Sequence, residues 1–441
     1  MPRLRILVSA FALSPYRGSE NAIGWNIVTR LRMFHDVMVL CGDLEGRRPC
    51  LRDLERFRAE NGELPGLKIC YIPPSPFIVF LFRAHRVPGF WWVYYGAYRL
   101  WQRAAYRVAL RLHSEKPFSA VHQLNMLGYR EPGYLWKLPV AFIWGPIAGA
   151  SDDPWAYFQL FALKGKLNAA LRKVVNSIQK RISFRAQRAA RKASKLWTAT
   201  PADYEMVCRI WGCGPAELML DTGTFARPGL IARTWNAEEP LRLAWSGLHI
   251  DRKALPIILK AISELKDPRK IRLAVIGHGP ETANWMLLAK RLGIEELVEW
   301  TGWLSHEDAM ARVSAAHVFA FTSIREATSN VVMEAIGLGI PVICHDACGM
   351  GVAINSSCGI KVPLQNPRLS IDGFKLAIQS FLDEPRLVDR FSEGALERAA
   401  ELSWDRKAAA MAATYQICAE QHQVDGSMAR TRTVRRRTDM A

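Results

Sequence analysis

Short apolar runs of strand length recur along the chain and alternate with stretches of helical pattern. Each run is bounded by polar residues, Gly or Pro and is apolar on both faces, which is typical of parallel strands covered by helices on both sides. A first series comprises LRILVS (4–9), DVMVLCG (36–42), LKICYI (67–72), FSAVHQ (118–123), PVAFIWG (139–145) and LWTAT (196–200). A second series comprises LRLAWSG (241–247), IRLAVIG (271–277), LVEWTG (297–302), HVFAFTS (317–323), PVIC (341–344) and GIKVPL (359–364).

The two series are separated by a stretch at 222–240 that contains Pro and Gly and no strand pattern. A chain of 441 residues is also long enough for two domains of roughly 200 residues each. The sequence therefore predicts an α/β protein with two doubly wound, Rossmann-like domains facing a central cleft, where ligands bind beyond the carboxyl ends of the strands. We expect an N-terminal domain at 1–225, a C-terminal domain at 226–402, a helix at 403–422 that crosses back to the N-terminal domain, and a disordered basic tail at 423–441.

The charge of the chain is strongly unbalanced. A net charge of +18 predicts attraction to nucleic acid, phosphorylated ligands or an anionic membrane face. No recognised nucleic-acid module accompanies this charge, so we expect no nucleic-acid partner. Nine scattered cysteines, an odd number, favour reduced thiols in a cytoplasm over a disulfide framework. No uncharged run approaches the ~20 residues of a transmembrane helix, and we do not expect the chain to span a membrane.

Two segments depart from the alternating pattern. The segment 77–112 is rich in aromatic residues and arginine and has no acidic residue. The segment 164–195 contains eleven Lys or Arg and no Asp or Glu. Basic amphipathic helices next to aromatic ones predict a surface that docks in the plane of an anionic membrane. The alternative is a solvated helix face together with an aromatic core.

The stretch SIREATSNVVMEAIGLGIPVI (323–343) keeps two carboxylates, Glu326 and Glu334, among small and apolar residues. Thr328 or Ser329 is suited to cap a short helix, whose first turn presents unpaired N–H groups that can bind an anion. A ligand with sugar hydroxyls and a phosphate would use both carboxylates and the amides between them. Alternatively, Glu326 lies on the surface and Glu334 pairs with an arginine.

The E-x7-E of this stretch, followed by A-x-x-x-G-x-P-V, resembles the retaining nucleotide-sugar glycosyltransferases of family four, which have the GT-B fold. The order of elements in 279–323 is similar to that family, and SPYRGSENAIGWN (14–26) is similar to its glycine loop. The segment IWGPIAGA (143–150) resembles polysaccharide-assembly members. The resemblance implies that the N-terminal domain binds an acceptor and the C-terminal domain a nucleotide sugar.

The resemblance also assigns donor-binding roles within the E-x7-E stretch. It implies that Glu334 binds the ribose hydroxyls of the nucleotide and that Glu326 contacts the donor sugar near its reacting face. The backbone amides of Thr328, Ser329 and Asn330 would hold the diphosphate.

Other matching positions lie outside that stretch. The resemblance implies that Lys253 neutralises the departing diphosphate, that Gly18 lets backbone approach the donor phosphate or acceptor, and that His122 lies near the anomeric carbon. Gly277 and Gly279 follow a strand, and this spacing favours close approach of backbone to a base or ribose. Without the family, Lys253 would be interpreted as a surface lysine and His122 as a core histidine.

One position departs from the family. The family usually reads G-R-L-x-x-R-K-G, with an arginine as a second diphosphate cation, whereas this chain has Leu248 at the arginine position. Leucine cannot neutralise charge. Either Arg252, His249 or another basic residue therefore substitutes, or turnover is weakened.

These observations predict a retaining hexosyltransferase that uses a nucleoside diphosphate sugar and a lipid-linked saccharide acceptor in exopolysaccharide or other surface-glycan assembly. We expect it at the cytoplasmic face of the cell membrane, peripherally associated with an anionic surface. We expect no cofactor and no required metal, because Asp152 and Asp153 lie in a connector rather than in a strand-end D-x-D motif. Two alternatives remain at this point: a non-catalytic GT-B subunit that binds nucleotide sugar or lipid, and a nucleotide-sugar epimerase.

Overall fold

Two separate parallel sheets organise the chain in the computed structural model, which describes residues 2–438 except 88, 89, 91, 215 and 228, and only the backbone from residue 426 onward. The first sheet consists of β1 (Arg5–Ala10), β2 (Asp36–Gly42), β3 (Leu67–Ile72), β4 (Ala120–Asn125), β5 (Ala141–Ile147), β6 (Lys195–Thr198) and β7 (Ala216–Leu218). The second consists of β8 (Leu241–Ser246), β9 (Ile271–Ile276), β10 (Val298–Gly302), β11 (Val318–Phe321), β12 (Val342–His345) and β13 (Gly359–Val362).

Helices surround both sheets. Those of the N-terminal half are α1 (Glu20–Leu31), α2 (Pro49–Asn61), α3 (Pro76–Ala84), α4 (Val93–Glu115), α5 (Leu163–Ile182), α6 (Phe184–Lys192) and α7 (Pro201–Glu205). Those of the C-terminal half are α8 (Pro256–Ser263), α9 (Thr282–Arg291), α10 (His306–Ser314), α11 (Asn330–Gly337), α12 (Met350–Ala353), α13 (Pro367–Asp383), α14 (Arg386–Glu401) and α15 (Trp404–Thr438).

The strand order confirms the predicted fold class. It is β3-β2-β1-β4-β5-β6-β7 in the first sheet and β10-β9-β8-β11-β12-β13 in the second, and neighbouring strands are parallel. Each sheet reverses its winding beside its first strand, between β1 and β4 and between β8 and β11, which is where such folds bind ligands. Each apolar run identified in the sequence forms a strand, whereas β7 was missed because its three residues, AEL, carry no apolar run.

Helix α15 returns to the first sheet. Its residues Trp404, Met411 and Tyr415 are buried in the same apolar cluster as β1 and α1. At the crossing, Thr224 donates its N–H to the carbonyl of Leu402 (3.0 Å), and Trp404 donates its own to the carbonyl of Thr224 (3.1 Å). The two chain segments that connect the domains are therefore joined to each other.

The basic tail differs from the expectation for 423–441. The backbone continues as helix to Thr438, and residues 439–441 lie outside the described residues. Extending an existing helix adds one hydrogen bond per residue without a new nucleation step, and this segment contains Ala, Met and several Arg, which favour helix.

A connector between β5 and α5 reaches into the C-terminal domain. Tyr157 is fully buried, and its hydroxyl hydrogen-bonds the hydroxyl of Ser370 on α13 (2.6 Å). Phe161 belongs to the apolar cluster of the C-terminal domain. The carboxylate of Asp251, just before Arg252, accepts a hydrogen bond from the backbone of Ala162 (3.2 Å). These contacts position α5 at the edge of the cleft.

Candidate active site

The loop after β11 and the start of α11 form the C-terminal wall of the cleft. Val332, Met333 and Ile336 bury one face of α11 in the core, which fixes the direction of its axis. The backbone of Ser329 is extended at the N-cap, and its hydroxyl caps no backbone N–H. The first N–H groups of a helix have no acceptor within the helix, so this end of α11 is suited to an anion.

Thr328 is placed differently from Ser329 and Asn330. It lies beside Asp221, a buried carboxylate whose pKa is raised by burial. A carboxylate at this position disfavours a second anion next to Thr328. Ser329 and Asn330 are therefore better placed than Thr328 to meet a diphosphate.

Glu326 lies at the centre of a charged cluster. Its Oε1 atom accepts a hydrogen bond from Nη1 of Arg252 (2.5 Å), pairs with Nζ of Lys253 (2.7 Å) and accepts from the hydroxyl of Ser323 (2.9 Å). Its side chain is 15% exposed, so Glu326 is not a free surface charge. The structure thus brings together three of the residues singled out in the sequence.

Electrostatics keep this cluster charged. Burial acts to raise the pKa of Glu326, but the charges of Lys253 and Arg252 outweigh it and hold that pKa below its ordinary value. The carboxylate remains ionised near neutral pH. A ligand carrying negative charge would share the two cations with Glu326.

The loop after β8 contains the residues that could substitute for the family arginine, which this chain lacks at Leu248. His249 is fully buried, its Nδ1 lies 2.8 Å from the hydroxyl of Thr282, and burial lowers its pKa to about 4. A neutral imidazole cannot neutralise a phosphate. Leu248 is 47% exposed and carries no charge. Of the basic residues considered, Arg252 is the one whose guanidinium lies with Lys253 at the carboxylate of Glu326.

Gly277 and Gly279 pack closely on the loop at residues 247–249, and their contact with a base or ribose stays a prediction. A Cβ on Gly277 would lie 2.1 Å from the carbonyl oxygen of Gly247, and one on Gly279 would lie 2.5 Å from that of His249. Gly277 also has φ +124°, which a residue with a side chain rarely adopts. Both glycines are required for the packing of this loop on residues 247–249.

Glu334 lies one helical turn inside α11 without a close partner. Nε2 of His306 is 3.8 Å from its carboxylate, and no residue in the described part of the chain hydrogen-bonds that carboxylate. Burial raises its pKa. The alternative of a pair with an arginine is not what the structure shows, and the carboxylate is open to a ligand hydroxyl.

The N-terminal wall contains a cavity of about 370 Å³ at the carboxyl ends of β1, β2 and β4. Arg17, Glu20, Asp43 and Tyr94 are among its lining residues. Gly18 lies in the loop between β1 and α1, and a Cβ there would meet no atom within 4 Å, so the loop is open to a ligand.

Sequence reasoning missed Glu20. Its Oε1 accepts a hydrogen bond from the N–H of Leu127 (3.0 Å), and burial raises its pKa. The sequence signal was present, because Glu20 lies within the segment at 14–26 that is similar to the glycine loop, but a carboxylate in the first turn of a helix is also a common capping residue.

His122 is the clearest error among the predicted site residues. It is fully buried in the middle of β4, where Nδ1 lies 2.6 Å from the hydroxyl of Tyr415 and Nε2 lies 2.7 Å from the carbonyl oxygen of Gly145. Burial lowers its pKa to about 4. Both nitrogens are engaged in the core, so His122 is a structural residue that helps to hold α15 on the sheet.

The predicted membrane-docking segments expose apolar side chains. Helix α5 presents one stripe of exposed residues to solvent, and α3 presents two phenylalanines. The residues are Leu163, Leu167, Leu171, Val174, Ile178 and Ile182 on α5, and Phe77 and Phe80 on α3. By contrast, Tyr98 and Trp101 of α4 are buried, so the aromatic segment is divided between surface and core. Residues 88, 89 and 91 of that segment lie outside the described residues.

The described residues contain neither a helix that could span a membrane nor a cluster of side chains that could bind a metal ion. None of the helices in that part of the chain combines the length and the hydropathy needed to cross a bilayer. The same residues contain no cluster of three His, Cys, Asp or Glu side chains that could hold a metal ion.

Comparison with known proteins agrees with this architecture. Residues 235–398 match the family described as "Glycosyl transferases group 1". A D-inositol 3-phosphate glycosyltransferase of Streptomyces bingchenggensis is 30% identical over 175 residues, which cover 37% of each chain. The lipopolysaccharide core biosynthesis glycosyltransferase LpsD of Rhizobium meliloti is 30% identical over 152 residues, 34% of this chain and 42% of LpsD. The chain thus spans about two fifths of the length of these relatives.

A solved structure extends the likeness to both domains. Anabaena HepE in complex with UDP superimposes with a TM-score of 0.56 over 93% of this chain and 100% of HepE, at 11% sequence identity. This likeness shows the fold and includes the N-terminal domain, which the family match does not reach. The chain therefore has the GT-B fold, and its residues 235–398 are similar to the group 1 glycosyl transferases.

Proposed function

We propose that this protein is a retaining glycosyltransferase that transfers a hexose from a nucleoside diphosphate sugar to a lipid-linked saccharide in surface-glycan assembly. The observation that carries the proposal is the cluster of Glu326, Lys253 and Arg252 at the entrance of α11. It combines a carboxylate for sugar hydroxyls with two cations for a diphosphate, beside a helix N-terminus that favours anions.

Donor binding divides among the elements of the C-terminal wall. Glu334, with no hydrogen-bond donor from the described residues, accepts hydrogen bonds from the ribose. The first amides of α11, at Ser329 and Asn330, meet the diphosphate. HepE was solved with UDP, which agrees with a nucleotide-sugar donor in a protein of this fold.

The chemistry depends on the leaving group. The bond between the anomeric carbon and the diphosphate breaks, and its electron pair remains on the phosphate oxygen. Lys253 and Arg252 stabilise that charge as it develops. Electrostatic stabilisation of this kind is usually the largest single contribution to catalysis. The acceptor hydroxyl then bonds to the anomeric carbon on the face that the diphosphate leaves and gives its proton to the departing phosphate oxygen, so the configuration is retained.

The acceptor side faces a membrane in this proposal. Helices α3, α4 and α6 contribute to the same apolar cluster on one side of the first sheet. The exposed apolar stripe of α5 and the basic residues around it are typical of a helix that lies in the bilayer interface. This surface would hold the enzyme at the cytoplasmic face of the cell membrane.

Leu248 supports a second candidate, a GT-B subunit that binds nucleotide sugar without transferring it. Its exposed leucine side chain stands where the family has a phosphate-binding arginine. One experiment separates the candidates: incubation of the protein with a panel of nucleotide sugars, with and without membrane lipid extract. Transfer that requires lipid extract and keeps the anomeric configuration supports the enzyme, whereas binding without transfer or hydrolysis supports the subunit.

A further inference from the structure

The side of α5 that carries Arg172 brings positive charge to the edge of the cleft, where Arg172 itself is exposed and Asn176 is buried. Arg172, Asn176 and Gln179 are spaced i, i+4 and i+7, which puts them on one side of the helix. This side is opposite to the exposed apolar stripe, and Asn176 is buried on it. Asn176 donates a hydrogen bond to the carboxylate of Asp152 (2.6 Å), which fixes α5 to the connector.

Two carboxylates of the connector are each paired with one cation. Lys180 of α5 contacts Asp152 at 2.9 Å. Arg325, from the loop of the C-terminal domain that leads to Glu326, contacts Asp153 at 2.7 Å. The second pair joins the two domains directly beside the candidate active site.

Two further arginines at this place form no ion pair with a carboxylate of the described residues. Arg130 donates hydrogen bonds to the amide oxygens of Asn176 and Gln179, which are neutral. Arg172 forms no ion pair or hydrogen bond with any residue that the structure describes. Burial, together with the charges of Arg325 and Arg130, lowers the pKa of Arg172 against the opposing effect of Asp153 and Asp152, so the three guanidinium groups lie near one another and near both carboxylates. Among Arg130, Arg172, Lys180, Arg325, Asp152 and Asp153, the cations outnumber the carboxylates by two.

Converging guanidinium groups without carboxylate partners are a suitable site for a phosphate, because each planar group can bind two phosphate oxygens. The position of the cluster restricts which phosphate-bearing ligand it can bind. On one side is Arg325, next to Glu326 of the donor site, and on the other is the apolar face of α5.

We propose that Arg172 and Arg130, with Arg325 beside them, bind the phosphate that joins the acceptor saccharide to its lipid carrier. The saccharide would then extend into the cleft and the carrier would follow α5 into the bilayer. This inference rests on the proposed function, since it names the group by which the acceptor of that function is recognised.

The test is calorimetric titration of the full-length protein with geranyl diphosphate, a soluble carrier of the same chemistry. We expect Arg172→Gln and Arg130→Gln each to weaken binding about tenfold, as loss of one charge-assisted contact does. The matched control is Lys164→Gln, which removes the same charge from an exposed residue in the first turn of α5 and should bind like the wild type. Arg172→Lys, which keeps the charge but not the planar fork, should fall between wild type and Arg172→Gln.

Two outcomes would overturn the proposal. If geranyl diphosphate binding depends on Lys253 and not on Arg172, the probe occupies the donor site. If glycerol 3-phosphate binds as tightly as geranyl diphosphate, the arginines hold an ordinary phospholipid head group instead. Thermal unfolding of each variant checks that the protein is folded, and because Arg172 has no partner to lose, its substitution should leave the unfolding temperature unchanged.

A second titration, with UDP and GDP, separates failure of this inference from failure of the proposed function. Nucleotide binding that Arg172→Gln leaves unchanged, together with weakened geranyl diphosphate binding, supports both. Nucleotide binding with geranyl diphosphate affinity equal in Arg172→Gln and wild type overturns the phosphate site alone. Binding of geranyl diphosphate through Arg172 without any nucleotide binding supports the phosphate site and overturns the proposed transferase function.

Discussion

Arg252 and Lys253, adjacent in the chain, direct their cations at the same oxygen atom, Oε1 of Glu326. Side chains of neighbouring residues normally diverge. Here a short helical turn at Asp251–Lys253 brings both to one side, and the hydroxyl of Ser323 holds the carboxylate between them. From this convergence we propose that Arg252 replaces the family arginine, at whose position this chain has Leu248.

The first prediction tests that replacement. Arg252→Ala and Lys253→Ala should each reduce transfer roughly 10–1,000-fold, because each removes a cation that stabilises the leaving diphosphate. Leu248→Arg should restore part of the activity of Arg252→Ala. The measurement is the initial rate of sugar transfer at saturating donor. Arg269→Ala, which removes an exposed arginine outside the cleft, serves as the control. Wild-type turnover in Arg252→Ala would contradict the replacement.

The second prediction concerns Glu334, which we expect to serve binding at the expense of stability. Glu334→Gln should weaken nucleotide affinity, since an unsatisfied ribose hydroxyl costs about 1–3 kcal/mol. It should also raise the unfolding temperature of the ligand-free protein at pH 7 by about 1–3 °C, because the half-buried carboxylate has no hydrogen-bond partner among the described residues and burial disfavours its charged form.

The pH dependence of that gain follows from the pKa of Glu334, which is raised in the folded protein. The unfavourable burial of charge is fully present above the folded pKa, shrinks as the pH falls below it, and is gone below the unfolded pKa, where both states are protonated. The stability difference between variant and wild type should therefore shrink on acidification. Calorimetry with the nucleotide and thermal unfolding at pH 7 and pH 4 measure both effects. Unchanged nucleotide affinity in Glu334→Gln would exclude the ribose role.

The third prediction is that His122 affects stability and not chemistry. His122→Gln should lower the free energy of unfolding by about 1–3 kcal/mol, because its hydrogen bonds to Tyr415 and Gly145 are buried. Sugar transfer per folded molecule should stay at the wild-type level. Chemical denaturation and rate measurements on the same sample check this. A large loss of turnover with unchanged stability would return His122 to the active site.

Buried histidines also predict acid sensitivity. The pKa values of His122, His249, His317 and His345 are each lowered by burial to about 4. Between about pH 6.5 and pH 4 the unfolded chain binds protons that the folded protein does not. Their contribution to stability is therefore complete above pH 6.5 and decreases as the pH falls. The slope of unfolding free energy against pH should be smaller by about one proton in His122→Gln than in wild type.

The fourth prediction concerns the membrane. The double variant Leu167→Ser, Leu171→Ser should bind anionic vesicles more weakly than wild type, because it removes apolar area from the face of α5 that would enter the interface. Binding should also decrease from anionic to neutral vesicles, since each Lys or Arg near an anionic surface contributes roughly 1 kcal/mol.

Co-sedimentation with phosphatidylglycerol and phosphatidylcholine vesicles measures both effects. Leu376→Ser changes an equally exposed leucine on α13 of the C-terminal domain and should bind like wild type. Equal binding of the protein to anionic and neutral vesicles would reject the electrostatic contribution.

The sequence by itself determined the fold class and contained the E-x7-E motif of the candidate donor site. Parallel strands covered on both faces require continuous apolar runs, and that requirement is visible without coordinates. The E-x7-E spacing on one loop and one helix singled out Glu326 and Glu334, whereas Lys253 was singled out by its match to the family. Local patterns of this kind survive in the sequence because neighbouring residues enforce them.

The tertiary structure decided everything that depends on residues distant in the chain. The sequence could not show whether His122 faces the cleft, because its environment is made by Tyr415, 293 residues away. Nor could it show that Arg172 and Arg325 approach each other across the domain boundary. Charge and hydrogen-bond partners are set by burial and by which elements pack together, and these are properties of the assembled sheets and helices rather than of any one segment.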